Sequence, residues 1–114
     1  MRRLALMEDV IIQIIVHGGD ARVKSMTAIQ MARKGEFEKA RSLIIEAKEA
    51  VSKAHHVQTN LIQSEVRGEK CDVSLLMVHA QDHLMNAMTV KELAEVFVEE
   101  IEARLALEKR LNSE

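Results

Sequence analysis

Two imidazoles, a carboxylate and an amide, His79, Asp82, His83 and Asn86, lie in the stretch VHAQDHLMNAM that runs from Val78 to Met88. On a helix they stand at i, i+3, i+4 and i+7, so they project as one column, with Gln81 beside them. Around that column are Val73, Leu75, Leu76, Met77, Val78, Ala80, Leu84, Met85, Ala87, Met88 and Val90, which leave no side of the helix hydrophilic. Such a helix has to be covered on nearly every side. Polar groups buried there are costly unless they satisfy one another, bind an ion or meet a partner.

Three kinds of chemistry suit the column. It can be structural, a set of hydrogen-bonded core side chains. It can hold a metal, because His79 and His83 with Asp82 between them suit zinc or iron, although one helix supplies at most three ligands. It can also carry a phosphoryl group. A neutral imidazole nitrogen is nucleophilic near neutrality and forms a reactive phosphoramidate, whose oxygens donors such as Gln81 and His83 would stabilise. There is no glycine-rich phosphate loop, so the chain would relay phosphate rather than take it from ATP. For the lone histidines, His17, His55 and His56, a hydrogen-bonded core role is the default expectation.

The rest of the composition narrows the frame. A chain of 114 residues with 47% hydrophobic content suits one compact domain spanning 1–114. With no proline, two phenylalanines and no tryptophan or tyrosine, the core is aliphatic and long helices meet no proline breaker. Sixteen basic against eighteen acidic residues, a net charge of −2, give no reason to expect a nucleic acid, and base-stacking platforms are missing too. Cys71 is the single cysteine and falls in a charged stretch; it reads as an inert loop thiol, and with no cleavable signal pattern a reducing cytoplasm is expected. The longest apolar run, Val10 to Val16, is far too short for membrane insertion.

Three elements must position the column. The first runs from about Leu4 to Lys34, on the spacing of Leu4, Met7, Val10, Ile11, Ile14 and Ile15 and then of Ala21, Met26, Ile29 and Ala32. The opening MRRLALMEDV need not be ordered throughout. Gly18-Gly19 could break this helix, each glycine costing about 1 kcal/mol relative to alanine. A helix is still expected, since no second strand exists to pair with VIIQIIV, and inside a helix the pair would let a neighbouring backbone come close. Lys34-Gly35 closes the segment. The second helix, from Glu36 to about Val66, has its apolar face on Phe37, Ala40, Leu43, Ile44, Ala47, Ala50, Val51, Ala54, Val57, Leu61 and Ile62. After a charged loop, Arg67 to Asp72, the third helix begins with Asp72 or Ser74 as cap and runs from about Val73 to Leu107, with a frayed EKRLNSE end. The fold class is all-α, an up-down-up antiparallel three-helix bundle, and the apolar face left over on the third helix calls for self-association.

At these residues a family resemblance becomes specific. VHAQDHLM, together with GDAR (Gly19-Asp20-Ala21-Arg22), KGEFEKA (Lys34 to Ala40) and AHHVQTNLI (Ala54 to Ile62), resembles the lactose/cellobiose-type enzyme IIA of the bacterial phosphoenolpyruvate-dependent sugar phosphotransferase system, in order and over essentially the whole chain. The resemblance implies a cytoplasmic three-helix subunit that forms a homotrimer. It implies a phosphotransferase component that accepts phosphate from phosphocarrier HPr on one histidine and passes it to the IIB component, serving the IIC permease indirectly during uptake of a lactose-, cellobiose- or chitobiose-class disaccharide. His79 then corresponds to the phosphohistidine, Gln81 and His83 flank it, and Asp82 meets its symmetry mates around one divalent cation per trimer, expected to be Mg2+, on the threefold axis. Three carboxylates there would repel, which a cation or proton uptake relieves. The alternative from another class is a helical metal-binding or assembly protein using His79, Asp82 and His83 as ligands. Nothing in the residues names the sugar.

Overall fold

The computed structural model describes residues 2–70 and 72–113, with side chains from Met7 onward. Cys71, and the expectation of an inert thiol there, lies outside the described residues, as does the side chain of Leu4. Among the described residues there are three helices and no strand: α1 Arg2–Arg33, α2 Phe37–Val66 and α3 Leu75–Ser113. They make an up-down-up rod measuring 69 × 21 × 20 Å. No helix among the described residues is long and apolar enough to cross a membrane.

The helix ends follow from local chemistry. At the end of α1, Gly35 adopts φ 81°, where its N–H bonds to the Ala32 carbonyl and that of Glu36 to the Met31 carbonyl, both at 2.9 Å. This is the left-handed glycine cap, and it turns the chain back in three residues. Gly68, at φ 91°, repeats it after α2, with Gly68 N–H bonded to the Glu65 carbonyl at 3.0 Å and Glu69 N–H to that of Ser64 at 3.1 Å. Ser74 caps α3: its Oγ accepts the Met77 N–H at 3.1 Å. The third helix therefore starts two residues later than its hydrophobic pattern suggests. It also ends later, because the expected frayed tail continues as helix to Ser113. Leu, Glu, Lys and Arg are strong helix formers, and Arg104 pairs with Glu108 one turn on at 3.7 Å.

The Gly18-Gly19 pair leaves α1 unbroken. A methyl built at Gly18 would meet the His83 carbonyl oxygen and the Leu84 Cα, each at 3.6 Å. Backbone therefore lies close against backbone at the level of the histidine column. Alanines extend the same closeness through the bundle: Ala21, Ala28, Ala32, Ala40, Ala47, Ala54, Ala80, Ala87 and Ala94 are all fully buried. Ile14 and Leu84 are the only large hydrophobic side chains among the described residues with under 2% of their surface exposed.

The large apolar side chains are thus distributed differently from the periodic expectation. Met26 and Ile62, both counted on core faces in sequence, are about half exposed, as are Leu93, Val96 and Phe97 on α3, while many small neighbours take the interior. α1 packs along both other helices, and α2 and α3 touch more sparingly, so a shallow groove runs between them. The helices approach on alanine and glycine at many levels, and only Ile11, Ile14, Val51, Met77, Leu84, Val98 and Ile101 among the larger hydrophobics of the described residues are buried between them.

Gly18 tests this. Gly18→Ala should melt within about 1 kcal/mol of wild type, since a methyl fits at contact distance and helix propensity improves. Gly18→Leu should lose about 1–3 kcal/mol by overpacking. Thermal unfolding followed by circular dichroism measures both.

Candidate functional site

α3 places the column on the side of the helix facing away from the core. His79, Asp82 and Asn86 are exposed and His83 is half-buried. The column is therefore not a set of core polar groups satisfying one another within the chain. The His79 and His83 rings lie 5.2 Å apart between centroids, tilted by 37°. His83 leans onto α1, where a methyl at Gly19 would stand 3.7 Å from its Nε2. A methyl there would touch the ring at ordinary contact distance, so the second imidazole needs no more than a small residue at position 19.

Gln81 does not join them. Two residues from His79, it points to the opposite flank of α3. Its Oε1 accepts a hydrogen bond from Nε2 of Gln58 on α2, and its Nε2 donates to the Met77 sulfur at 3.9 Å. Gln58, only 8% exposed, went unnoticed in the sequence. The signal was available: it falls four residues after Ala54, on the buried face of α2, where every other buried residue is alanine or valine. His55 and His56 are solvent-exposed rather than core residues, and His17 is half-buried. Asp20 of the GDAR segment is occupied on its own helix by Lys24, at 3.1 Å, whose ammonium it holds above the ordinary lysine range chiefly through that hydrogen bond.

No single-chain metal centre forms among the described residues. Among the described residues no three histidine, cysteine, aspartate or glutamate side chains converge on a point that could hold an ion. This corrects the alternative built on His79, Asp82 and His83: the two rings lie against each other, 5.2 Å apart, and Asp82 does not join them in a converging set. A metal at Asp82 would need carboxylates from other copies.

Those copies have a surface to meet on. Leu75, Val78, Asp82, Met85, Thr89, Leu93 and Val96 follow one another at intervals of three and four residues and are all exposed. Leu75 leaves 86% of its surface in water. This is the a/d spacing of a coiled-coil seam, displayed on the outside of a bundle that already has a core. Asp82 interrupts the seam with its carboxylate, and His79 stands at its margin with Leu75 and Leu76 around the ring.

Comparison with known proteins agrees with this architecture. Residues 9–102 match the family described as the lactose/cellobiose-specific IIA subunit of the phosphotransferase system. The lichenan-specific phosphotransferase enzyme IIA component of Bacillus subtilis is 57% identical over 93 residues, 82% of this chain and 84% of that protein. The cellobiose-specific EIIA component of Lactococcus lactis is 46% identical over 89% of this chain and 87% of its own length. Among solved structures, the cellobiose-specific enzyme IIA of Bacillus anthracis superposes with a TM-score of 0.85 at 49% identity, covering 87% of this chain and 91% of that one. The chitobiose IIA in its complex with HPr, from Escherichia coli, gives 0.73 at 36% identity, covering 84% and 93%.

The cap that starts α3 one turn before His79 can be probed alone. Ser74→Ala should cost about 1 kcal/mol. Amide hydrogen exchange should accelerate at Met77, Val78 and His79 while residues beyond Ala87 keep their protection.

Proposed function

The chain belongs to the lactose/cellobiose-specific IIA family of the phosphotransferase system, and we propose that His79 is its phosphoryl acceptor. The observation that carries this reading is the exposed His79 ring, with a second imidazole 5.2 Å away and Leu75 and Leu76 around it. A solvent-facing imidazole is reachable by another protein. Its phosphorylated form is kept from water when a matching apolar face closes over it.

The step is an exchange between carriers. The lone pair of the outer ring nitrogen of His79 forms the new N–P bond as the bond from phosphorus to the donor breaks, and the electron pair of that bond leaves with the donor. The reverse exchange at a nucleophile of the next carrier regenerates the free imidazole. HPr is the donor and the cognate IIB component the acceptor, and the IIC permease is served indirectly. The complex of the Escherichia coli chitobiose IIA with HPr supports the first of these. The relatives carry names for lichenan, cellobiose and chitobiose. That spread fits a carrier that never touches the disaccharide it helps import. The relay operates in the cytoplasm.

The seam on α3 organises the working form as a homotrimer. If Asp82 points at a threefold axis, His79 and His83 stand about 60° and 100° to one side of it, and Val78 and Gln81 about 40° and 100° to the other. Cyclic symmetry then sets His79 of one copy against the Val78–Gln81 flank of the next, at nearly the same height. Gln81, which cannot serve His79 of its own chain, becomes a donor for its neighbour's, and His83 serves the ring beside it. Three Asp82 carboxylates on the axis form an oxygen-only set that suits a hard divalent cation such as Mg2+. The ion would relieve their repulsion and take no part in the transfer.

Two substitutions test the assignment. His79→Ala should keep its fold and its sedimentation as a trimer but gain no acid-labile phosphate when incubated with phosphoenolpyruvate, the general enzymes and HPr, read by mass spectrometry. Labelling of that variant would rule out His79. Asp82→Leu should remain a trimer after chelation of metal, because it completes the apolar seam; a monomer by sedimentation would contradict the axial role.

A further inference from the structure

Gln58 and Ser25 are the buried polar side chains among the described residues. Ser25 is satisfied within its own helix, its Oγ donating to the Ala21 carbonyl at 2.7 Å. Gln58 instead spends its donor on a neighbouring helix, giving its Nε2 hydrogen to Oε1 of Gln81. A primary amide has one accepting end and one donating end. A hydrogen bond delivered to Oε1 therefore decides which end of Gln81 faces α2, and its NH2 has to point away.

The NH2 meets a thioether, the sulfur of buried Met77 at 3.9 Å, a weak acceptor that engages one of its two N–H groups at most. The amide stands at the rim of the groove between α2 and α3, beside Leu61 and Val78. Gln81 is thus held with an N–H to spare on the flank of α3 opposite its own histidine. An amide without this tie would rotate freely and offer its carbonyl oxygen as readily, and that oxygen repels a phosphoryl group.

We propose that Gln58 is a positioning residue for phosphoryl transfer, fixing the Gln81 amide donor-outward so that an N–H meets the phosphoryl oxygens on His79 of the adjoining copy. The proposal rests on the reading of His79 as acceptor. Gln81 neither gains nor loses a proton during the step, in which the donor's bond to phosphorus breaks and the His79 N–P bond forms. Its hydrogen bond strengthens as charge gathers on the three oxygens, which lowers the barrier rather than tightening the docking of HPr.

Substitutions at Gln58 that reverse or keep the tie provide the test. Gln58→Glu can only accept, so Gln81 must turn its NH2 inward and present oxygen outward. Gln58→Lys can only donate, so Gln81 keeps its orientation. Both place a charge at the same buried position, and a merely structural role would slow both alike. Single-turnover transfer from phospho-HPr at a series of HPr concentrations should give a maximal rate about 10-fold lower for Gln58→Glu and within about 2-fold of wild type for Gln58→Lys, with half-saturation unchanged in each. Equal slowing of the two, wild-type rates in both, or a change confined to half-saturation would overturn the proposal. Should the charged variants fail to assemble, Gln58→Met decides: a maximal rate about 3-fold lower at unchanged half-saturation supports the tie, and a wild-type rate overturns it. His79→Ala runs alongside, so that labelling of that variant indicts the acceptor assignment instead of the tie.

Discussion

The approach of α1 to α3 at Gly18 and Gly19 is the constraint on which the rest depends. With no Cβ at Gly18, the α1 backbone lies against the backbone of α3 at His83 and Leu84. At Gly19 the His83 ring lies at ordinary contact distance from where a methyl would stand. The alanines that follow along all three helices keep the same narrow spacing over the length of the rod. Glycine inside a helix weakens it locally, and here that cost is offset by close packing at the level where the chemistry sits.

A narrow interior has consequences outside. Burying an alanine removes far less apolar surface from water than burying a leucine, which contributes about 1.5–3 kcal/mol. A bundle cored with alanine is therefore thinly stabilised by its own interior, while leucine, valine, isoleucine and methionine side chains crowd its surface. The surplus gathers on the outer face of α3 at three- and four-residue intervals. The same side chains that a lone chain leaves in water are those that other copies can cover, so stability and assembly become one quantity.

This arrangement also explains how an ionisable site can lie in a greasy surface. Each polar group has a distinct surrounding. His79 faces outward and Asp82 stands alone in the seam. His83 rests on glycine, and Gln81 is tied across to α2. None is spent on another within the column, apart from the tilted contact of the two rings. Partners and symmetry mates complete what one chain leaves open, which suits a carrier that must release its cargo as readily as it takes it.

The helical class, the three elements, the hairpin turn at Gly35, the unpartnered face of α3 and the column itself were all legible in residue spacing, because helical periodicity and glycine caps are local properties. The prominence of His79 over His17, His55 and His56 was legible too, from its company on one face. Sequence alone did not decide which apolar residues would be inside. By spacing Met26 fits a core stripe as well as its neighbour Ala28, yet Ala28 is buried and Met26 stays about half exposed. Nor did it separate Gln81 from His79 or tie it to Gln58. That pairing joins residues 23 positions apart on different helices and exists only once α2 lies against α3. Local periodicity determines faces; which face meets which, and how closely, is settled by volumes that a one-dimensional pattern does not contain.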